Sequence, residues 1–444
     1  MSTLPLPRPH FLVIPFPVQG HINPLMQLSQ ALAKHGCKVT FLLTEFSHNR
    51  SRTGGSASGL DKIKVVTLPD GLEHEGDRSD ISKVMLSIKS TMPSRLPKLI
   101  EDVNKNNKIN CIVVTFNMGW ALEVGHKLGI KGALFHPASA TSLACVVSIP
   151  KLLEDGIIDY EGNPTKKEEI QISHNIPKMD TRNIPWHGLD KIFFDHILQE
   201  IQTINLAEWW LCNTTHDLEP GVFSISQKFL PIGPLIETND NKSSFWQEDT
   251  TCLEWLDKQK PQSVIYVSFG SLVEMEQNQF NELALGLDLL DEPFLWVVRP
   301  SNDDKVNYEY PNDFHGSKGK IVGWARQRKI LNHSAIACFI SHCGWNSTME
   351  GVHGGVPFLC WPFFTDQFLN KSYICDVWKI GVELEKDDKG FISRQEIRKK
   401  VDQVVHDDII KKMCLKIQKM SIDNIEQGGQ SSKNLQNFIS RVNN

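Results

Sequence analysis

Residues 337–350 read Ala337-Cys338-Phe339-Ile340-Ser341-His342-Cys343-Gly344-Trp345-Asn346-Ser347-Thr348-Met349-Glu350. The apolar run Ala337–Ile340 has the length and composition of a buried strand. It runs into a turn, Ser341–Trp345, and from Asn346 onward the pattern is that of a helix start. Strand, tight turn and helix N-terminus in that order make a seat for a diphosphate, because the first helical turn offers N–H groups without intrahelical acceptors and the positive end of the helix dipole. His342 stands just before the helix and can add a donor to the same anion, while Gly344 lets backbone approach closely. Glu350 lies one turn beyond Asn346, within reach of sugar hydroxyls near the phosphates. Upstream, Trp324 offers a flat face for a base. Taken singly, each residue has an ordinary reading: Trp324 as core, His342 as a structural histidine, Asn346 and Ser347 as caps, Asp366 and Gln367 as the start of the next helix. Their joint occurrence within one segment, Trp324 to Gln367, points to a nucleotide-linked ligand.

Outward from this segment, short apolar runs alternate with longer amphipathic stretches, the pattern of parallel α/β domains. In the first half His10–Pro15, Val39–Leu43, Ile63–Leu68, Cys111–Val114 and Gly132–Phe135 read as strands; in the second half Ser263–Val267, Phe294–Val298, Gly319–Val322, Ala337–Ile340 and Val356–Cys360 do. Leu25–His35 carries apolar residues at helical spacing, with Asn23 as expected N-cap, Pro24 at the first helical position and Gly36 as terminator. Residues 237–251 are polar and aperiodic and read as an interdomain linker. The expected organisation is therefore residues 1–236 as one domain and 252–444 as a second, with the last helix packing back on the first.

The chain has 444 residues, 40% hydrophobic, with a formal net charge of −5. That length suits two domains, and the absence of a basic tract or RNA-reading motif argues against a nucleic-acid partner. The ten cysteines are scattered without a CxxC pair, which suits reduced thiols in the cytoplasm and gives no zinc-like spacing even around Cys338, His342 and Cys343. The apolar run Phe11–Ile14 is too short for a signal-peptide core, and no stretch approaches the roughly 20 apolar residues of a membrane span. Pro17-Val18-Gln19-Gly20-His21 occupies the first strand–helix turn in place of a G-x-G-x-x-G fingerprint, which disfavours a dinucleotide-linked oxidoreductase.

The segment from Trp324 to Gln367 resembles the 44-residue box of plant secondary product glycosyltransferases: it opens on Trp, closes on Asp-Gln, and holds His-Cys-Gly-Trp-Asn-Ser and Glu in the family's places. The resemblance extends to Gly20-His21-Ile22-Asn23-Pro24, Ser268-Phe269-Gly270-Ser271 and Gly428-Gly429 with Ser431-Ser432. It implies a GT-B fold, two Rossmann-like α/β domains facing across a cleft, with acceptor in the N-terminal domain and UDP-sugar in the C-terminal one. By that resemblance Trp324 stacks on uracil and the Ala325 backbone pairs with its edge. Gln327 and Glu350 hold ribose hydroxyls. Ser271, His342, Asn346 and Ser347 hold the diphosphate, and Trp345, Asp366 and Gln367 hold sugar hydroxyls. Gln367 resembles the residue of glucose users. Arg326 departs from the family's usual Pro, beside contacts that use backbone and Gln327.

Transfer needs a group to take the acceptor proton, and histidine, with an ordinary pKa near 6.5, suits that task. His21 follows the first strand, where open α/β sheets bind ligands, and the resemblance makes it the general base of an inverting reaction. The family usually pairs this histidine with an Asp; here Thr115 stands at that position, and the first carboxylate beyond it is Glu123. The expected function is metal-independent transfer of glucose from UDP-glucose to a small lipophilic acceptor by a monomer. It needs no resident cofactor, metal or membrane span. The alternative is a UDP-sugar-binding protein with weak transfer because of Thr115. Expected acceptor-pocket walls are Phe116, Asn117, Phe135, His136, Ser139 and the loop around Glu73–Ser82.

Overall fold

The computed structural model describes residues 8–53, 63–73, 78–235, 249–299 and 308–443. Residues 236–248, which hold most of the expected linker, and 74–77, within the loop expected to border the acceptor, lie outside them. The chain divides into two compact units, Met1–Phe245 with Asn424–Asn444, and Trp246–Asp423.

In the first unit a seven-stranded sheet has the order β3-β2-β1-β4-β5-β8-β9, built from β1 (His10–Ile14), β2 (Lys38–Thr44), β3 (Ile63–Leu68), β4 (Cys111–Thr115), β5 (Lys131–His136), β8 (Trp209–Cys212) and β9 (Phe229–Pro231). Every pairing in it is parallel. A short antiparallel pair, β6 (Glu169–Ile170) and β7 (Met179–Asp180), stands apart from it. Strands covered on both faces carry continuous apolar runs, and β1 and β4 are buried at every position. Part of one face is covered by the C-terminal helix Gln430–Asn443, whose Phe438 ring lies 5.6 Å from Phe11 and 5.2 Å from Trp209. The core on that side joins Leu25, Leu28 and Leu32 to Phe11, Val13, Phe41, Val113 and Phe135.

The second unit repeats the plan with six parallel strands in the order β12-β11-β10-β13-β14-β15: β10 (Val264–Ser268), β11 (Phe294–Val297), β12 (Gly319–Val322), β13 (Ile336–Ser341), β14 (Phe358–Cys360) and β15 (Gly381–Glu383). Both sheets reverse strand order once, between β1 and β4 and between β10 and β13. At such a switch point neighbouring strands send their connections to opposite faces, leaving a crevice at their carboxyl ends where ligands bind.

The helix after β1 corrects the sequence expectation. It spans Gln19–Lys34, with Val18 as N-cap, so Asn23 is not the cap and Pro24 lies inside it. The N–H groups of His21 and Ile22 both donate to the Val18 carbonyl, closing the turn five residues early. Proline is tolerated there because only one backbone bond, from position 24 to Gly20, is forfeited near the helix start. The terminator is as expected: Gly36 adopts φ +80°, and Gly36 and Cys37 donate to Ala33 and Leu32.

Candidate functional site

In the second unit both loops at the switch point carry expected site residues. Ser268-Phe269-Gly270-Ser271 leaves β10, and Ser341-His342-Cys343-Gly344 leaves β13 into the helix Trp345–Gly354. That helix starts at Gly344 with no side-chain cap and ends at Gly355 in the left-handed region. Cys343 is held at φ +65°, costly for a residue with a Cβ. Two bonds fix it: its N–H donates to Ser341 Oγ (3.1 Å), and its carbonyl accepts from Asn370 Nδ2 (2.9 Å). Strain of this kind persists where the surroundings over-determine a turn, and this turn aims the helix start.

The His342 ring is wedged against two glycines. A Cβ at Gly270 would meet its Cε1 and Nε2 at 2.7 Å, and a Cβ at Gly344 would meet Nε2 at 2.4 Å. Burial pushes its pKa down to about 4, against a smaller opposing pull from the Ser268 backbone, so at neutral pH it is an uncharged imidazole.

Gln327 opens the helix Gln327–Leu331 and ties the segment together. Its Nε2 donates to Ser347 Oγ (2.8 Å) and Glu350 Oε2 (2.7 Å), while its Oε1 accepts from the Tyr266 hydroxyl (3.3 Å). Ser347 and Glu350 are three apart on one helix face, which brings both to one amide. Half-buried Trp324 and buried Ala325 come just before, and the Trp324 carbonyl accepts from Asp249 N–H at 2.8 Å. Asp366 precedes the helix Gln367–Ser372 without a side-chain cap bond; its carboxylate accepts from Asn370 Nδ2 (2.8 Å) and the Thr365 hydroxyl (3.2 Å), and burial raises its pKa. Gln367 Oε1 accepts from the N–H groups of Phe363 (2.8 Å) and Phe364 (3.3 Å), so a sugar contact from this side chain falls to Nε2. The Trp345 ring is buried, 6.2 Å from Trp378, so a sugar contact from this residue would come from its backbone. Ser271 is half-buried in the first loop, and Asn346 is half-buried in the first turn of the helix Trp345–Gly354.

In the first unit His21 falls in the first helical turn after β1, its ring 5.7 Å from Phe16 and edge-on. Burial lowers its pKa to about 4, and its Nδ1 is buried without a partner. Thr115 ends β4 fully buried, and its hydroxyl accepts from the Phe16 N–H at 2.7 Å. It thus ties β4 to the segment after β1 instead of orienting His21.

Of the expected acceptor walls, Phe116, Asn117 and His136 cluster at the carboxyl ends of β4 and β5, with the Phe116 and His136 rings perpendicular at 6.1 Å. Phe135 does not belong there. Strand alternation turns it into the core with Val113 and Leu211. The Ser139 hydroxyl is committed to capping Ala140–Val147 through Ser142 N–H.

Three residues that hold these side chains were not anticipated: Tyr266, Asn370 and Glu200. Glu200 Oε2 accepts from the N–H groups of Asn117 and Gly119, 3.1 Å each, and burial raises its pKa to about 7. The sequence carried a signal for it, since Glu200 sits on the buried stripe Phe194, Ile197, Ile201, Ile204.

The sequence pattern described as UDP-glucoronosyl and UDP-glucosyl transferase matches residues 185–426, and a glycosyltransferase N-terminal domain pattern matches residues 10–70. The chain belongs to the UDP-glycosyltransferase family. UDP-glycosyltransferase 83A1 of Arabidopsis thaliana is 40% identical over 98% of this chain and 97% of its own. A UDP-glucosyltransferase of Polygonum tinctorium, solved with 3,4-dichloroaniline, aligns with TM-score 0.83 at 25% identity over 99% of both chains. UGT2 of Phytolacca americana, solved with UDP-2-fluoro-glucose and pterostilbene, aligns with TM-score 0.82 at 24% identity over 99% of this chain and 100% of that one. This UDP-glycosyltransferase therefore has the GT-B fold of two Rossmann-like domains, and it transfers a glycosyl group from a UDP-sugar to an acceptor. No helix among its described residues is long and apolar enough to cross a membrane.

Proposed function

We propose that this enzyme moves glucose from UDP-glucose to a hydroxyl of a small lipophilic acceptor, with inversion and without a metal ion, in the cytoplasm. The observation that carries the donor half is the Gln327–Ser347–Glu350 cluster on a helix whose start has no side-chain cap. With both Gln327 N–H groups spent on Ser347 and Glu350, the Glu350 carboxylate and the second lone pair of Gln327 Oε1 present acceptors to ribose hydroxyls. The helix start, His342 and Ser271 receive the diphosphate, and Trp324 stacks on the base. Asp366 and Gln367 Nε2 take the sugar hydroxyls. The growing negative charge on the leaving UDP is met by oriented N–H groups, which do the work otherwise given to a divalent ion.

His21 is the general base. Held neutral by burial, it has a lone pair at neutral pH. Its Nε2 takes the acceptor hydroxyl proton as that oxygen bonds to the anomeric carbon and the bond from carbon to phosphate oxygen breaks, releasing UDP. One displacement inverts the anomeric centre.

The test is UDP release from UDP-glucose with a panel of phenols, alcohols and acids, comparing the native enzyme with His21→Ala. Loss of at least 100-fold in kcat with UDP binding intact supports the assignment; undiminished turnover overturns the role of His21. A second reading, binding with weak transfer, is favoured by the Thr115 hydroxyl being taken up by Phe16 instead of His21. No UDP release with any acceptor, despite tight UDP binding, would select it.

A further inference from the structure

Three polar atoms at the carboxyl edge of the first sheet are buried and have no hydrogen-bond partner: His21 Nδ1, Asn117 Oδ1 and His136 Nδ1. They come from the connections after β1 and β4 and from the last residue of β5, three strands adjacent in the order β1-β4-β5. The connections are tied to one another. Phe16 N–H donates to Thr115 Oγ1 at 2.7 Å, Phe16 packs on the His21 ring, and Phe116 packs on the His136 ring. The two imidazoles are close enough for a charge on His21 to act on His136. Asn117 and His136 are each more than nine-tenths buried, so both orphaned acceptors carry a desolvation cost unless something satisfies them.

The donor and acceptor roles can be assigned. Ser142 has one hydroxyl proton, directed to the Ser139 carbonyl at 2.9 Å; its oxygen then accepts from His136 Nε2 at 2.8 Å. His136 therefore carries its proton on Nε2, and its Nδ1 is a bare acceptor. Asn117 Oδ1 is an acceptor as well. A base role requires the lone pair of His21 on Nε2 and hence the proton on Nδ1, a donor. One donor and two acceptors, unpartnered at one sheet edge, are the complement of a single water molecule, which accepts once and donates twice.

We propose that Asn117 and His136 are positioning residues that hold the Nδ1–H tautomer of His21 through one buried water. Asn117 is itself fixed for the task. It adopts φ +73°, and Glu200 grips its N–H and that of Gly119, where any Cβ would collide with Thr203 and Glu200. The assembly does for this histidine what a carboxylate does in a His–Asp pair, with acceptors supplied by an amide and an imidazole.

The inference rests on His21 being the base, and the experiment separates the two. Asn117→Ala, His136→Leu and the acceptor-keeping His136→Gln are measured for kcat, KM and UDP affinity, alone and combined with Thr115→Asp, which places a carboxylate beside the ring. We expect Asn117→Ala and His136→Leu to lower kcat about tenfold or more with UDP affinity unchanged, and His136→Gln to retain most of the turnover. In the Thr115→Asp enzyme the same changes should matter less than about threefold, because the carboxylate takes the Nδ1–H directly. A purely structural role would produce equal losses in both backgrounds and would overturn the proposal, as would turnover within twofold of native for Asn117→Ala and His136→Leu. If His21→Ala is itself fully active, it is the base assignment that fails. Should Asn117→Ala not fold, the His136→Leu and His136→Gln pair decides.

Discussion

Replacing Gly344 by alanine isolates the contribution of His342 to diphosphate binding. The backbone at Gly344 has φ −61° and ψ 141°, open to any L-residue, so the new methyl acts through space and not through strain. Its Cβ would lie 2.4 Å from His342 Nε2, and ordinary carbon contacts begin about 1 Å further out. The ring must move by about that much, and Gly270 crowds the same Cε1–Nε2 edge. A hydrogen bond to an ionised group contributes about 1.5–3 kcal/mol, so losing it lowers UDP affinity about 10- to 150-fold. The backbone and entropy effects of the change are each about 1 kcal/mol or less and offset one another, so the loss of stability should be the overpacking cost of the crowded ring, about 1–3 kcal/mol. Gly270→Ala meets the same ring but at φ +70°, and should add about 1–2 kcal/mol of destabilisation to the same loss of affinity. Calorimetric titration with UDP, alongside thermal melts, reads both quantities. A Gly344→Ala enzyme that binds UDP as tightly as the native one would show that His342 does not serve the diphosphate.

Tyr266→Phe removes the donor that orients the Gln327 amide and should weaken UDP binding about three- to tenfold at unchanged acceptor KM; equal UDP affinity would mean Gln327 needs no such support. EDTA should leave turnover unchanged, and restoration of chelator-abolished activity by a divalent ion would refute the metal-independent mechanism. Acid should destabilise the fold as pH falls from about 6.5 toward 4.5. Burial lowers His10, His21, His136, His196, His342 and His353, so the unfolded chain takes protons in that window that the folded one refuses. The raised carboxyls Glu200, Glu219 and Asp366 act the other way but are fewer. Each histidine contributes on the order of 1.4 kcal/mol per pH unit, and a melting temperature flat from pH 7 to 4.5 would contradict this balance.

Much of the candidate donor site's local structure was legible because it is contiguous in sequence. Strand, turn and helix follow one another along Ala337–Glu350, and the residues that use backbone and side chain there are separated by single helical turns. What was not legible is the support that crosses sequence. Tyr266 meets Gln327 from 61 positions away, Asn370 meets the Cys343 carbonyl from 27, and Glu200 meets Asn117 from 83. Parity alone could have excluded Phe135, since His136 and Phe135 must face opposite sides of the same strand. The early start of the helix after β1 was hidden by Pro24, which reads as a boundary although one missing N–H near a helix start is tolerated.

The two sheets share one topological device, and under the proposed mechanism they serve two kinds of chemistry because of what their switch points present. At β10 and β13 a strained turn, two crowding glycines and a helix start converge around a neutral His342, with the Arg299 charge near enough to act on that ring, a set of groups that favours negative charge. At β1 and β4 the connections carry neutral imidazoles and an amide, and Glu200 Oε2, which accepts from the Asn117 and Gly119 N–H groups, serves the backbone there. An ionised carboxylate beside His21 would raise its pKa and strengthen it as a base; its absence leaves the ring weaker but neutral well below pH 7. The consequence is that reactivity shifts onto the acceptor. Phenols, whose protons are already acidic, should be glycosylated faster than aliphatic alcohols, and the gap should narrow when Thr115→Asp supplies the missing charge. A gap that stays the same would place the limitation in acceptor binding, not proton removal.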